Sequence, residues 1–188
     1  MIESIIKKRS AIYPKSYNDE PIDKETVMEL LDLANRAPSH RKTEPWRFGV
    51  FHTLESRERL AEYLGADYKL QNADGGFSEF KFNKIKKKPV QSGVVIAIIM
   101  KRDEEERVPE WEEIAAVSMA IQNIWLACTE RSIGCYWSSP SSMTMRADQF
   151  LNLKTGERCL GLLYMGNIDV WSDKDKEIGS LDDKIYWM

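Results

Sequence analysis

Between Ile114 and Cys128 the sequence runs IAAVSMAIQNIWLAC, apolar on nearly every side of a helix. Pro109, Glu110, Glu112 and Glu113 stand just before it and suit a first helical turn. Proline lacks an N–H that would go unpaired there, and carboxylates favour the positive end of the helix dipole. A helix that is apolar all round has to be covered on every face. In a chain of 188 residues, two arrangements do that: a central place within one layered domain, or a second copy of the chain laid against the helix. The second is the expectation here, a homodimer with a buried central helix.

The rest of the chain reads as one domain over residues 1–188, with no internal repeat and no low-complexity linker. Ile2, Ile5 and Ile6 lie at helical spacing, with Lys7, Lys8 and Arg9 where cations favour a helix C-terminus. Asp23 is a good N-cap for a second helix carrying Val27, Leu30, Leu31, Ala34 and Ala37 on one face. Pro38 disfavours a helical Ala37 and ends it. Arg47–Phe51 reads as a short strand and Ser56–Tyr63 as a short helix. Asp74-Gly75-Gly76 is a turn, and Phe77, Phe80, Phe82 and Ile85 form one partly buried face. Lys81, Lys84, Lys86, Lys87 and Lys88, closed by Pro89, read as a solvated face flanking an opening. Val94–Met100 is a continuous β-branched run, typical of a strand covered on both sides. Gly134 ends the apolar helix; Cys135–Ser138 and Cys159–Met165 are further strands. The tail is polar with a late aromatic cluster, an arm packed on the surface or on a partner. Strands interleaved with helices, without a hairpin series, imply a mixed sheet flanked by helices.

A formal charge of −3 gives no global attraction to nucleic acid or an anionic membrane, so any anion must be met by a local cluster of cations. No apolar run approaches a membrane span, and the N-terminus MIESIIKKRS has no signal-peptide core. Three cysteines far apart, with no CxxC, and only two histidines argue against a disulfide framework and a metal site. The cytoplasm is the expected compartment. G-x-G-x-x-G, P-loop, G-x-S-x-G and H-E-x-x-H patterns are all missing.

What stands out is a set of anion-binding residues among aromatic and small ones. Lys8, Arg9 and Ser10 place two cations and a hydroxyl just past the first helix. The stretch RAPSHRKTEPWRF sets Arg36 and His40 on either side of Pro38, and a guanidinium offers a planar donor fork for phosphate or for the edge of a heterocycle. Tyr136, Trp137 and Ser138 follow a glycine after the buried helix.

In that order, KRS, RAPSH with EPWRF, the strand at 94–100, AIQNIWLACTERSIGCYWSS and LGLLYMGN make the chain resemble the flavin-dependent nitroreductases, in particular the small bacterial type with a short C-terminal arm. The resemblance implies an α+β nitroreductase-like fold and a homodimer with two FMN sites at its interface. Lys8, Arg9 and Ser10 then fall where one subunit binds FMN, Arg36 and His40 where the other reaches the flavin, and Tyr136, Trp137 and Ser138 at a further flavin-contacting turn. It also implies an enzyme that takes electrons from NAD(P)H through FMN to a nitroaromatic, quinone or similar small electrophile. Relatives on the fold dehalogenate aromatics, and a non-catalytic FMN carrier or sensor is the other reading. Trp46, Trp137 and the aromatics at 77–85 are candidates for shaping the acceptor pocket. Lys8 stands where arginine is usual and Glu44 where glutamine is frequent. The basic residue often found just after the R-S pair is missing, and for the phosphate the tail offers Lys174 and Lys176 among aspartates.

Overall fold

A computed structural model describes residues 2–171 and 178–188. Three layers stack in it. The middle layer is a four-stranded sheet in the order β1-β2-β4-β3, from β1 (Trp46–Phe51), β2 (Val94–Lys101), β3 (Ile133–Ser138) and β4 (Glu157–Asn167). One face carries α2 (Lys24–Asn35) and α5 (Glu110–Glu130); the other carries α3 (Leu54–Gln71), α4 (Glu79–Val90) and the short α6 (Ser141–Arg146). α1 (Ile2–Lys8) lies against α5, and α7 (Asp148–Leu151) leads into β4. β2 shows why both faces must be covered. Val94, Ile96, Ile98 and Met100 pack on the α2–α5 side, and Val95, Ala97 and Ile99 on the other, as a two-residue period requires.

The expected mixed sheet is corrected in one respect: every hydrogen-bonded strand pair among the described residues is antiparallel. The helical pair α3–α4 returns the chain to the end of the sheet it left, so Phe51 faces Val95 and β2 has to reverse. β2 and β3, joined across α5, do run the same way, but β4 lies between them and opposes both.

α2 starts on Asp23, whose carboxylate accepts from the Thr26 N–H at 2.6 Å, and it buries Val27, Leu30 and Ala34. α3 is far longer than Ser56–Tyr63. Its start is fixed by the Thr53 hydroxyl, which accepts from the Ser56 N–H, and its length by burial of Leu60, Ala61, Leu64 and Gly65. Gly65 lets α4 approach so closely that a Cβ there would lie 3.0 Å from Lys86 and Phe82. α4 runs through Pro89 in its last turn. Phe82 and Ile85 are half-buried against α3, but Phe80, two positions from Phe82 and so on the far side of the helix, is 76% exposed.

α5 ends at Glu130, not at Gly134. Ser132, at φ 57°, makes the turn, and Gly134 already lies in β3, paired with Gly166 of β4. The Tyr17 ring lies across this glycine pair: a Cβ on Gly166 would come within 2.4 Å of it, and one on Gly134 within 2.6 Å. The Tyr17 hydroxyl donates to a backbone carbonyl, with the Ile12 oxygen at 2.7 Å and the Tyr164 oxygen at 3.0 Å. Burial pushes that phenol well above its ordinary pKa. Tyr17 thereby pins the segment after α1 to the sheet edge.

At the other end of α5, Glu113 is 1% exposed. It accepts from the Arg102 guanidinium and from the Asp103 N–H at 2.8 Å, while Arg102 also donates to the Val108 carbonyl at 2.7 Å. Asp103, held by Arg107, is pulled down to a pKa of about 2. These bonds tie the loop before α5 to its first turn.

The α5 expectation of apolar faces all round is met within the chain on one side only. Trp111 is 66% and Met119 41% exposed, with Gln122 beside them. The tail aromatics Tyr186 and Trp187 are also exposed, so that cluster does not pack on its own chain. Gly166→Ala is expected to cost about 2 kcal/mol of stability by forcing the pinned Tyr17 ring out of place, read as a lower midpoint in urea denaturation; an unchanged midpoint would mean the ring yields freely.

Candidate functional site

Past α1 the chain runs beside β3, where the Ile12 N–H donates to the Cys135 carbonyl at 3.0 Å. This places Lys8, Arg9 and Ser10 at the C-terminal part of α5. The Trp125 indole N–H donates to the Ser10 carbonyl at 3.1 Å, and the Arg9 guanidinium lies over the Trp125 ring, 4.9 Å from its centre. The Lys8 ammonium lies 4.8 Å over the Trp171 ring. Trp171 was not foreseen. Its indole Nε1 is buried and has no partner among the described residues. Among those residues neither Lys8 nor Arg9 is paired with a carboxylate. Two cations, a hydroxyl and an orphan N–H suit a phosphate. Lys174 and Lys176 lie outside the described residues.

β3 is an edge strand of the sheet, and its two-residue period divides the next three candidates. Tyr136 packs on the α3–α4 side, between Tyr13 at 4.5 Å and Tyr164 at 6.0 Å between ring centres. Ser138 opens on the same side, onto a cavity of about 180 Å³ walled by Tyr164, Lys88, Ser141 and the Arg146–Asp67 pair. Trp137 packs against the α2–α5 core instead, its indole N–H directed at the Leu160 carbonyl at 3.4 Å. The strand register shifts beside Leu160, and Gly161 stands at φ 138°. Because the Cys135 carbonyl points outward to Ile12, the Trp137 N–H and C=O also point outward. Among the described residues nothing pairs with them.

Lys88, read in the sequence only as one of a run of lysines flanking an opening, has a specific place. Its ammonium lies 5.4 Å over the Tyr136 ring and walls both the Ser138 cavity and a neighbouring one of about 230 Å³, lined by Tyr13, Lys15 and Lys84 with no acid. Lys86, two positions away, points elsewhere and pairs with Glu62 at 2.6 Å. The lysine run is therefore partly a solvated face and partly the wall of an opening. The spacing of Lys84 and Lys88, one helical turn apart, was the available signal.

Arg36 caps the end of α2, exposed, with Asp32 at 3.3 Å. His40 follows Pro38, its Nδ1 2.5 Å from Glu112 Oε2 on α5. Arg41, Lys42 and Glu44 take left-handed φ values of 53°, 54° and 43°, a strained run for residues with side chains. Trp46 is a core residue whose indole donates to Asn35 at 2.8 Å, while Glu44 faces a shallow cavity of about 450 Å³ with Asp32, Trp46 and Arg47.

In one chain these candidates form two groups. Lys8, Arg9 and Ser10 gather at Trp125, and His40 at Glu112, thirteen residues or about 20 Å apart along α5. Met119 lies midway, on the uncovered stripe.

The profile of the nitroreductase family matches residues 6–167. The chain belongs to this family. Among its relatives is the Bacillus subtilis protein named "Putative NAD(P)H nitroreductase YfhC", 28% identical over 170 residues that make up 90% of this chain and 85% of the other. A nitroreductase-like protein from Bacillus cereus is 25% identical and superposes with a TM-score of 0.80 over 100% of this chain and 96% of its own. A Desulfovibrio desulfuricans protein described as "a putative nitroreductase in complex with fmn" shares the fold at 20% identity, with a TM-score of 0.73 over 100% and 96% of the two chains.

Within this nitroreductase fold, the edge at Trp137 and Ser138 depends on Gly161. A Cβ there would lie 2.5 Å from the Ser138 carbonyl and 2.7 Å from the Trp137 indole nitrogen. Gly161→Ala is expected to shift both residues and to lower stability by about 2 kcal/mol, read as a changed near-ultraviolet circular dichroism spectrum and an earlier unfolding midpoint. A wild-type spectrum would show that the edge does not rely on the glycine.

Proposed function

We propose that this nitroreductase-family chain is an NAD(P)H-dependent FMN oxidoreductase that works as a cytoplasmic homodimer on small planar electrophiles such as nitroaromatics or quinones. The observation that carries the reading is the separation of Lys8 and Arg9, at the Trp125 end of α5, from His40 at its Glu112 end, with an uncovered apolar stripe between them. A two-fold axis near Met119 sets the Trp125 end of one copy against the Glu112 end of the other. It covers Trp111 and Met119 and completes two identical sites. FMN, when bound, supplies a two-electron carrier between the nicotinamide and the acceptor.

The chain's own residues do the rest. Lys8, Arg9, Ser10 and the Trp171 N–H hold the phosphate. The outward N–H and C=O of Trp137, beside Tyr136 and Ser138, offer a donor and an acceptor to the edge of the ring system. Lys88 adds a positive charge near that edge, in place of the basic residue missing after Ser10, and a cation there favours the more negative reduced state. Arg36 and His40 reach in from the partner. No side chain is required as a nucleophile.

Purified protein should carry or take up FMN, with an absorbance band near about 450 nm that NADH or NADPH bleaches without oxygen and a quinone restores. A bound flavin that stays oxidised with both nucleotides would sink the reductase reading, and a protein that takes up no flavin would sink the flavin reading as well. Met119→Glu places two like charges together at the proposed axis. It is expected to yield a monomer in light scattering and to weaken FMN binding by more than about tenfold. A monomer that keeps its flavin affinity would show that the site is complete in one chain.

A further inference from the structure

His40 and Glu112 meet at 2.5 Å beside a cavity of about 350 Å³ lined by Pro38, Trp111, Ala115 and Met119. The contact fixes more than a distance. A carboxylate only accepts hydrogen bonds, so the hydrogen between the two groups belongs to His40 Nδ1. Neutral His40 is then held with Nδ1 protonated and its Nε2 lone pair free, and any second proton enters or leaves at Nε2. The other end of the pair is rigid, because the adjacent Glu113 anchors the same turn of α5 through Arg102 and Asp103. Of the residues lining the cavity only His40 and Glu112 titrate; Arg41 and Lys42 follow His40 on its own loop, and Arg36 is occupied by Asp32.

We propose that Glu112 is a positioning residue that presents His40 Nε2 as the proton donor to the electron acceptor, with the imidazole recharged by water. This rests on the flavin reading given above. Reduction of a quinone-type acceptor takes two electrons and two protons in all. Hydride delivered at the site brings both electrons and one proton. The Nε2–H bond of protonated His40 breaks as the acceptor oxygen gains negative charge, the proton joins that oxygen, and neutral His40 takes a proton from water. The arrangement uses the logic by which a carboxylate orients a catalytic imidazole, applied to proton delivery.

The chain has only two histidines, and they are held in opposite ways. His52 Nε2 lies 2.8 Å from the Ile22 carbonyl, which can only accept, so its hydrogen is on Nε2. Nitrogen NMR of flavin-free protein, above the imidazole titration, should therefore show one ring of each tautomer. Glu112→Ala should move His40 to the Nε2–H form and leave His52 unchanged. In stopped-flow oxidation of the reduced holoprotein by a benzoquinone, the wild-type rate should fall with rising pH as the protonated donor is lost. His40→Asn should be slower by about 10- to 100-fold and flat with pH. Glu112→Ala should be slowed with its falling limb displaced, and Glu112→Gln, which keeps an acceptor oxygen, should lie nearer wild type. Two Nε2–H rings in the wild type, or an Ala variant with an unaltered pH profile, would overturn the proposal. A wild-type protein that takes up no flavin would defeat the flavin reading and proton delivery with it, while the tautomers still report separately on the pair.

Discussion

α5 meets two demands that one chain cannot satisfy together. Its inner side, from Ala116 and Val117 through Ile121, Ile124 and Cys128, fills the space over the sheet and needs the first three strands and α2 around it. Its outer side carries Trp111 and Met119, which the same chain leaves in water. Apolar surface removed from water stabilises by roughly 25 cal/mol per Å², so an uncovered stripe of this kind favours association. In the proposed dimer, the partner copy that covers it carries its own Lys8–Arg9–Ser10 group toward the first chain's His40. Burial of α5 and completion of the proposed site are then one event.

The first turn of α5 shows how closely fold and site are joined. Glu112 and Glu113 are neighbours in sequence, and the roughly 100° step of a helix sends them to different sides. Glu113 turns inward to Arg102 and the Asp103 N–H, where a buried carboxylate without those partners would be strongly unfavourable. Glu112 turns toward His40 on the strained loop after α2. One carboxylate thus holds the helix in the fold while the next reaches the loop whose position that helix determines.

Much of this was legible in the residues, for identifiable reasons. The Asp23 cap, the buried run of β2 and the acidic start of α5 are local signals, and each appears where those signals put it. α3 was underestimated because its exposed side is dense with charge, and Leu60 and Leu64 stand almost alone as apolar anchors. Gly134 looked like a helix stop because glycine often ends helices; its actual constraint is the Tyr17 ring, more than a hundred residues away in sequence. The sheet could not be read as wholly antiparallel, since the insertion of β4 between β2 and β3 leaves no mark on either strand. For the site, Tyr136 and Trp137 read as one turn, although alternation alone sends them to opposite faces. Lys88 was lost in a run of similar lysines, because only the packing of α4 on α3 distinguishes it from Lys86.

The charges at the β3 edge reconcile a net negative chain with an anionic ligand. Lys8 and Arg9 lie on indole rings at one end of this edge, and Lys84 and Lys88 lie near Tyr13 and Tyr136 at the other, with Lys15 beside them. Cations seated on aromatic faces keep their charge without a carboxylate to neutralise it, and the ring contact replaces part of the water they give up. Several carboxylates elsewhere are engaged by other cations, as in Asp103 with Arg107 and Asp67 with Arg146. The field at the edge is therefore set by nearby cations without a carboxylate partner among the described residues, and barely by the total of −3, since screening removes distant charges within about 8–10 Å in salt. In the proposed site the Trp171 N–H adds a neutral donor where further charge would repel Lys8 and Arg9.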